Sequence, residues 1–356
     1  MTERLPDPLF WHGRRVLLTG HTGFKGAWLV RWLVRLGARL HGFALPPEGA
    51  AETLRPLWSG IGETIGDLRD DRAVARAVAE ADPEIVFHLA AQALLPRGWA
   101  DPAGTIATNV GGTVALLEAL RAARQLRAVL VVTSDKVYRN DESGTPFAEH
   151  APLGGEDPYS ASKAAVELLL PAWRSLLARR GVAIGSARAG NVVGGGDFGA
   201  DRLIPDTVRA ARSGRAVVLR SPGATRPWQD VRDCLRGYIL FAEALARGKG
   251  PTALNFGPPV SSPPLTARAV ACRIAAAFAA PEPVHDPAAA IAEKRSLSLD
   301  PSRAEAVLGW RVLHGAAEAI DDAVRFYRAL ASGEPAAPLA DAALEAHAAL
   351  CLRRAA

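Results

Sequence analysis

Cysteine is scarce in this sequence of 356 residues, which holds only Cys234, Cys272 and Cys351. The three are far apart, odd in number, and form neither a C-x-x-C pair nor a cluster with histidine. Disulfide frameworks and structural zinc sites need closely spaced cysteines in sets. The sequence therefore predicts neither, and we expect reduced thiols and no metal site.

Long hydrophobic runs are also missing. No stretch approaches the roughly 18 uninterrupted apolar residues of a membrane-spanning helix. The N-terminal residues MTERLPDPLFWHGRR lack the apolar core of a secretory signal. We therefore expect a cytoplasmic protein without a membrane partner.

Strong charge of one sign is absent too. There are 42 Lys and Arg residues against 37 Asp and Glu residues, a formal net charge of +5, with no long basic run. Nucleic-acid binding therefore rests on the net charge alone, and we expect no nucleic-acid partner. An anionic small molecule explains a mild surplus equally well. With 49% hydrophobic and 22% charged residues, the chain is predicted to be globular.

Short apolar strands alternate with helical patterns through the first half of the chain. A strand at residues 14–20, a glycine turn, a helix and a strand at 39–45 have the size of one βαβ unit. Further strands are predicted to end near Asp67, Ala91, Asp135 and Gly190. This alternation predicts an α/β fold with a doubly wound parallel sheet (Rossmann), which binds its ligand at the carboxyl ends of the strands.

Glycine and proline interrupt the pattern after residue 190. We expect a second, smaller α/β substrate domain over the open edge of the sheet. The predicted dinucleotide-binding domain comprises residues 14–189 and 230–257, and the substrate domain comprises residues 190–229 and 258–329. The Ala-rich residues 330–356 form a tail that is either a surface helix or a loose segment.

Three glycines, Gly20, Gly23 and Gly26, form a G-x-x-G-x-x-G pattern between the first strand and the first helix. This spacing favours a dinucleotide whose pyrophosphate meets the helix N-terminus. The second strand runs into Leu45 and prolines, without an arginine for the phosphate of NADP, and Asp67 is the predicted adenine-side contact. NAD is therefore the predicted cofactor. Its other predicted contacts are Thr22, Phe24, Lys25, Leu68, Leu89, Ala90, Ala91, Tyr159 and Lys163.

Tyr159 and Lys163 form a Y-x-x-x-K pair on one face of a predicted helix start. A lysine beside a phenol stabilises the phenolate, so we expect a lowered pKa for Tyr159. With the hydroxyl of Ser134 at a strand end, the pair forms a proton-transfer set for oxidising a secondary alcohol. Asp135 and Lys136 add an acid and a base, which allow elimination as well.

These motifs resemble the extended short-chain dehydrogenase/reductase superfamily and, more narrowly, the CDP-glucose 4,6-dehydratases. The resemblance covers residues 10–328. It is carried by FWHGRRVLLTGHTGFKGAWL, IVFHLAAQALL, TNVGGT, VVTSDKVY, PLGGEDPYSASKAAVELL, ARAGNVVGGGDFGADRLIPD, RPWQDV, NFGP and LSLDPSRAEAVLGW. GHTGFKG, TSDK and GNVVGGGD with DRLIPD are far more specific than a bare glycine pattern.

The resemblance implies that the substrate is a nucleotide-activated hexose, with CDP-glucose as the first candidate, and that NAD is held tightly. Tyr159 would take the C4 hydroxyl proton while NAD takes the C4 hydride. The resulting 4-keto group acidifies C5, water leaves across C5 and C6, and the hydride returns to C6. Asp135 would protonate the departing hydroxyl, and Lys136, as a neutral amine, would deprotonate C5. The 4-keto-6-deoxy product belongs to deoxysugar and lipopolysaccharide biosynthesis.

The resemblance also assigns six substrate contacts. They are Thr108 and Asn109 at the hexose, Asn191 at the diphosphate or sugar, Arg202 and Leu203 on the nucleotide side, and Arg226 at the diphosphate.

Five positions depart from the family pattern. Where relatives read A-A-Q-P-L-V-R-x-S-Y, this chain places Pro96, Gly98 and Trp99 at the arginine, serine and tyrosine positions. Asp230 replaces a histidine after RPWQ, and Phe198 replaces a tryptophan after GGGD. The catalytic residues are spared, so these changes leave open which sugar and which base are recognised.

Several alternatives remain open. A UDP-N-acetylhexosamine 4,6-dehydratase also carries the Ser-Asp-Lys triplet, whereas 4-epimerases lack the Asp-Lys pair. An NAD-binding sensor is the non-enzyme alternative, although such proteins typically lose the tyrosine or lysine. In relatives the helices after Pro102 and Tyr159 form a four-helix bundle with a second copy, so we expect a homodimer, with a tetramer left open.

Overall fold

The computed structural model describes residues 3–286 and 296–355. Residues 287–295 of the predicted substrate domain and residue 356 of the predicted tail therefore lie outside the described residues. Its strands are β1 (Arg15–Thr19), β2 (Arg39–Ala44), β3 (Gly62–Ile65), β4 (Ile85–His88), β5 (Ala128–Val132), β6 (Ala183–Ala189), β7 (Val192–Val193), β8 (Val218–Leu219), β9 (Thr225–Arg226), β10 (Gln229–Asp230), β11 (Ala253–Phe256), β12 (Leu265–Thr266) and β13 (Val284–His285).

The α-helices connect and cover these strands. They are α1 (Pro8–Trp11), α2 (Phe24–Arg35), α3 (Asp71–Ala81), α4 (Leu95–Ala100), α5 (Pro102–Ile106), α6 (Gly112–Ala119), α7 (Pro158–Ala178), α8 (Leu203–Arg212), α9 (Val231–Ala246), α10 (Ala267–Ala277), α11 (Ser302–Leu308), α12 (Ala316–Ala331) and α13 (Ala336–Ala355). Among the described helices, none combines the length and hydropathy that crossing a bilayer requires.

The central sheet has seven strands in the order β3-β2-β1-β4-β5-β6-β11, and every neighbouring pair is parallel. The chain winds outward from β1 and β4 in both directions, which confirms the predicted doubly wound sheet. The crevice beside the carboxyl ends of β1 and β4 is the expected ligand position in this topology.

Several strands end before the predicted boundaries. The predicted strands that end at Ala91 and Asp135 stop at His88 and Val132. In both cases the last three predicted residues lie beyond the strand, in loops at the carboxyl edge of the sheet. The predicted helix after Pro102 is also interrupted, by a π-helical turn at Ala107–Gly111.

Each face of the sheet has its own apolar core. One face packs against α2 and α9 through side chains such as Leu29, Phe241 and Trp310. The opposite face packs against α3, α6 and α7 through side chains such as Val74 and Leu117. The fully buried strands β4 and β5 lie between the two cores, which explains their continuous apolar sequences.

A third apolar cluster lies outside the sheet, among α8, α10 and α12. It is the part of the chain that the sequence assigns to a substrate domain. Within the predicted range 258–329, however, Ala304, Leu308 and Trp310 belong to the core beside the sheet. The exact division of the chain into two domains stays a prediction.

The Ala-rich tail forms the helix α13 rather than a loose segment. Ala336, Ala340, Leu344 and Cys351 follow one another at spacings of four, four and seven residues and are buried against the rest of the chain. The exposed side of the contact carries an ion pair between Arg31 on α2 and Asp341. A small-residue surface lets this helix approach α2 closely, so α13 is a packed element.

Candidate active site

The glycine turn after β1 has no room for side chains. A Cβ atom at Gly20, whose φ is +82°, would lie 2.8 Å from the nitrogen of Ala90, and one at Gly26 would lie 2.0 Å from the oxygen of Gly20. Gly23 caps α2 without a side-chain hydrogen bond. The free N–H groups and the dipole of this helix N-terminus therefore fit the pyrophosphate of a dinucleotide.

The other predicted cofactor residues surround this turn. Leu89, Ala90 and Ala91 follow β4, where the amide of Leu89 donates to the carbonyl of Thr19 at 3.1 Å. The hydroxyl of Thr22 donates to the carbonyl of Leu45 at 3.0 Å, so it braces the loop after β2.

Asp67 and Leu68 lie beyond β3 at the same edge. The Arg69 guanidinium holds the carboxylate of Asp67, with an Nη2–Oδ2 distance of 2.6 Å, and that bond lowers the pKa of Asp67. Leu68 is buried beneath Gly112, where a Cβ would lie 2.6 Å from the Leu68 Cβ. An adenine contact for Asp67 stays a prediction.

A cavity of about 560 Å³ opens at the carboxyl edge of the sheet, between the sheet and the outer helical cluster. Its walls bring together ten of the residues predicted for the cofactor, the chemistry and the substrate. These are Phe24, Lys25, Ser134, Asp135, Lys136, Tyr159, Asn191, Arg202, Leu203 and Arg226.

Ser134 begins a single 3₁₀ turn, Asp135–Val137, directly after β5. Its hydroxyl donates to Asp135 Oδ1 at 2.9 Å and accepts the backbone N–H of Lys136 at 3.2 Å. Asp135 is buried, and burial raises the pKa of its carboxyl group. Within the described chain its Oδ2 has no hydrogen-bond partner. A carboxyl group that holds its proton more readily than an exposed one therefore lies at the cavity wall.

Tyr159 differs from the expectation of a lowered pKa. Burial raises the pKa of Tyr159 to about 12, although hydrogen bonding from Ser134 and the charge of Arg202 act in the opposite direction. Lys163 Nζ donates to the carbonyl of Val132 at 3.2 Å, and among the described residues no hydrogen bond joins Lys163 to Tyr159.

Lys163 itself has an unusual ionisation. Burial, assisted by the charge of Lys25, lowers the pKa of Lys163 to about 7, while Glu167 acts against this shift. The ammonium is therefore close to half-protonated near neutral pH, which suits a group that exchanges protons with its surroundings.

Lys25 places a third lysine at this site. Its Nζ donates to the phenol oxygen of Tyr238 at 3.4 Å and lies 5.5 Å from the centre of that ring. Only five of the 42 Lys and Arg residues are lysines. Three of these five, Lys25, Lys136 and Lys163, lie at this site. Lysine supplies a compact amine whose pKa can shift on burial, whereas the guanidinium of arginine stays charged.

Arg202 lies at the catalytic end of the cavity rather than only on the nucleotide side. Its Nη1 contacts both carboxylate oxygens of Asp197 at 3.0 Å, and its charge acts on the ionisation of Tyr159. Asp197 also lines the cavity. The sequence analysis missed this partner, although the GGGD motif contains it.

The structure does not bring Thr108 and Asn109 to the cavity. Neither is among the described residues that line it. Asn109 is buried, accepts the backbone N–H of Gln92 at 2.8 Å and donates to Ser162 Oγ at 2.8 Å. Its side-chain amide ties the loop after β4 to α7, and a hexose contact for Thr108 or Asn109 stays a prediction.

The departures from the family pattern separate into two groups. Pro96 lines the cavity, and Gly98 lies beside the backbone of Tyr159, so both of these departures lie at the candidate active site. Trp99 is 53% exposed, and Asp230 caps α9 while pairing with Arg232 at 2.7 Å. The change at Asp230 therefore concerns folding rather than recognition.

Two groups behind the site escaped the sequence analysis. Glu167 on α7 and Arg188 on β6 form a buried ion pair at 2.7 Å. The i, i+4 spacing from Lys163 to Glu167 was available as a signal, but the partner arginine is distant in sequence.

The glycine turn, the Tyr159–Lys163 helix and the parallel sheet together define an NAD-dependent short-chain dehydrogenase/reductase architecture. The chain belongs to the NAD dependent epimerase/dehydratase family, which it matches over residues 16–257. Membership confirms the predicted superfamily, and it confirms NAD as the cofactor of the family.

Within that family the chain is 39% identical to the CDP-glucose 4,6-dehydratase of Salmonella typhimurium over 345 residues, 92% of this chain and 94% of that protein. It is 34% identical to the dTDP-glucose 4,6-dehydratase of Mycolicibacterium smegmatis over 226 residues, 62% of this chain and 66% of that protein. The UDP-glucose 4-epimerase of Thermus thermophilus, solved with NAD, matches with a TM-score of 0.77 at 28% identity, covering 88% and 99% of the two chains. The predicted resemblance to sugar-nucleotide dehydratases is confirmed.

Proposed function

We propose that this chain is an NAD-dependent sugar-nucleotide 4,6-dehydratase, a hydro-lyase, and that CDP-glucose is its substrate. The observation that carries the proposal is the joint position of Asp135 and Lys136 on the same cavity wall as Ser134 and Tyr159. An oxidation site needs only the serine and tyrosine, whereas loss of water also needs an acid and a base. The 39% identity to a CDP-glucose 4,6-dehydratase supports the same choice.

In the oxidation step, Tyr159 accepts the proton of the C4 hydroxyl. Ser134 and the charge of Arg202 favour the phenolate form against the effect of burial. Bound NAD supplies reversible hydride acceptance, and the Gly20–Gly26 turn holds its pyrophosphate. Lys163, with a pKa lowered to about 7, is placed to pass protons through the buried end of the site.

In the elimination step, a C5 proton and the C6 hydroxyl leave together as the double bond forms. Lys136 takes the C5 proton, and Asp135 gives its proton to the departing hydroxyl, which leaves as water. Burial raises the pKa of Asp135, which favours the protonated form that this step requires. The unpartnered Oδ2 of Asp135 is the atom that is free to meet the C6 oxygen.

Arg226, Asn191 and Leu203 line the part of the cavity that we assign to the nucleotide diphosphate and its base. Arg226 sits on β9 and supplies a guanidinium, which can bind phosphate oxygens in pairs. The outer cluster of α8, α10 and α12 then serves as the nucleotide-sugar side of the site.

A second candidate function is dehydration of a UDP-N-acetylhexosamine, which uses the same acid and base. Pro96 on the cavity wall and Gly98 beside Tyr159 support this candidate, since relatives place an arginine and a serine at these positions. A 4-epimerase is less well supported, because epimerisation at C4 has no use for Asp135.

The test is incubation of the purified protein with CDP-, dTDP-, UDP- and GDP-glucose and with UDP-N-acetylglucosamine. We expect a 4-keto-6-deoxy product, detected by the absorbance that such sugars develop in base, to form fastest from CDP-glucose. Product from UDP-N-acetylglucosamine alone would favour the second candidate. Formation of a C4 epimer without any keto product would refute the dehydratase proposal.

We also propose a homodimer in the cytoplasm that serves deoxysugar and lipopolysaccharide synthesis. Support for the dimer comes from Ile106 on α5 and from Leu168 and Leu176 on α7, which are 42%, 69% and 55% exposed. Large apolar side chains exposed on two adjacent helices are typical of an interface.

A further inference from the structure

The turn that carries Ser134, Asp135 and Lys136 is held weakly by its own backbone. It spans one 3₁₀ turn, and its internal hydrogen bond, from Val137 N to Ser134 O, is 3.4 Å long. A short turn with so little internal bonding needs external contacts to fix two catalytic side chains to within a fraction of an ångström.

The upstream end of the turn is anchored on Glu167. The hydroxyl of Thr133, the residue before Ser134, donates to Glu167 Oε1 at 2.6 Å. Glu167 is held in turn by Ser186, whose hydroxyl donates at 2.8 Å, and by a bidentate Arg188 at 2.9 and 2.7 Å. The carboxylate thus has one fixed orientation on α7, one turn beyond Lys163.

The downstream end of the turn is anchored on the same ion pair from its other side. Arg188 Nη1 donates to the phenol oxygen of Tyr138 at 2.8 Å and to the carbonyl of Glu149 at 3.0 Å. The hydroxyl of Tyr138 donates to Asn255 Oδ1 at 2.7 Å, and its ring stacks on Phe147 with centroids 5.1 Å apart. Tyr138 closes the turn two residues after Lys136.

The ion pair is rigid because it is almost fully enclosed. The side chains of Arg188 and Glu167 are 6% and 2% exposed. All their interactions named above are directed hydrogen bonds, so neither partner has freedom to adopt a second arrangement.

We propose that Glu167 and Arg188 are positioning residues, which clamp both ends of the Ser134–Tyr138 turn through Thr133 and Tyr138 and so place Asp135 and Lys136 for elimination. This proposal rests on the proposed function in one respect, namely that elimination is the step that the clamp serves. The downstream contact, through Tyr138, governs Asp135 and Lys136 most directly, whereas the upstream contact also governs Ser134.

The mildest test is Tyr138→Phe, which removes two hydrogen bonds and keeps the aromatic stack. The fold should survive, because Gly154 N still donates to Val137 O at 2.8 Å and Arg139 N to Pro152 O at 2.9 Å. The matched control is Arg174→Met on the same helix as Glu167, which removes bonds to the carbonyls of Ile184 and Thr252 but none to the turn.

Two readouts separate a positioning role from a structural one. The first compares C4 oxidation, followed by absorbance of the reduced cofactor in a first turnover, with solvent deuterium uptake at C5. The expected result for Tyr138→Phe is a loss of at least about tenfold in C5 exchange with a smaller loss in C4 oxidation, since small misplacements are costly. Arg174→Met should lower thermal stability and leave that ratio unchanged.

The second readout needs no substrate. Backbone hydrogen exchange over residues 134–138 should accelerate in Tyr138→Phe and in Arg188→Lys, which keeps the charge but cannot bridge Glu167 and Tyr138 at once. Unchanged exchange in the turn, or an unchanged ratio of the two partial reactions, would overturn the clamp. If the wild-type protein converts no nucleotide hexose, the proposed function fails and the exchange result alone decides the clamp.

Discussion

Lys163 shows most clearly how burial controls chemistry at single residues in this site. The residue is buried, its ammonium donates to a strand carbonyl, and a second lysine, Lys25, lies close enough to act on its charge. A pair of cations in a poorly solvated site disfavours double protonation. The sequence motif alone predicts a lysine that assists tyrosine, but the three-dimensional neighbours decide how its proton is shared.

The pKa of Lys163 can be measured directly because lysine is rare in this chain. Labelling with lysine carrying ¹³C at the ε carbon should give five resolvable signals, assigned by single substitutions. We expect the Lys163 signal to titrate with a midpoint of about 7. In Lys25→Met the midpoint should rise, since one neighbouring cation is removed. A Lys163 midpoint near the ordinary lysine value of about 10.4 would contradict this account.

Lys136 provides the test of the base. Lys136→Met keeps the length of the side chain and removes its amine, so C4 oxidation should continue while C5 exchange and product formation fall about 10²–10⁴-fold. The measurement is solvent deuterium at C5 together with reduced cofactor in a single turnover. Unchanged exchange in this variant would remove Lys136 from the mechanism.

At the scale of elements, α13 packs onto a buried polar cluster, to which it contributes His347. His347 on this helix stacks on His314 with ring centroids 5.2 Å apart, and its Nε2 lies 4.0 Å from Asp233. Arg236 also faces the group, 3.8 Å from Asp233. The carboxylate of Asp233 and the imidazoles of His314 and His347 lie close enough together to ligate a metal ion. The adjacent guanidinium of Arg236 opposes a cation there.

This arrangement makes the docking of α13 sensitive to acid. Burial, with the charges of Arg236, His314 and Arg232, lowers the pKa of His347 well below its ordinary value. The unfolded chain binds a proton near pH 6.5, which the folded chain does not, so stability falls as the pH drops below that point. In His347→Leu the slope of unfolding free energy against pH should be smaller, by up to about 1.4 kcal/mol per pH unit.

Urea unfolding at several pH values measures that slope, and the slope rather than the absolute stability is compared. His21, His41 and His88 also have lowered pKa values, chiefly through burial, so a residual slope is expected in the variant. Equal slopes in the two proteins would show that His347 is not the group responsible.

The elements show what sequence reasoning can and cannot reach. The order of strands and helices followed from periodicity and glycine positions, because buried parallel strands such as β5 are continuous apolar runs. The docking of α13 did not follow, since alanine-rich sequence suits an exposed or a closely packed helix equally. Asn109 shows a related limit, because a buried amide and a substrate-binding amide look alike in sequence until their partners are known.

At the scale of the whole molecule, the exposed apolar side chains on α5 and α7 bear on assembly. Leu168→Asp places a charge in the proposed interface and should shift the protein from dimer to monomer in sedimentation velocity. Leu352→Asp on α13, at a comparable exposure of 61%, is the matched control and should leave the mass unchanged. A wild-type monomer, or dimers that persist in Leu168→Asp, would contradict the proposed interface.

The molecule as a whole also explains the mild positive charge. Arg202 and Arg226 both line one cavity at the carboxyl edge of the sheet, beside the N-terminus of α2. Arg202 is paired with Asp197, whereas the guanidinium of Arg226 suits the phosphate oxygens of the proposed substrate.

The central claim is that one active site oxidises C4, eliminates water and returns the same hydrogen to C6. CDP-glucose carrying deuterium at C4 tests it in one experiment, read by mass spectrometry and NMR of the product. The account predicts a 4-keto-6-deoxy sugar nucleotide with the deuterium at C6. Recovery of a hexose with deuterium still at C4 and inverted configuration, or a deoxy product without the label, would contradict it.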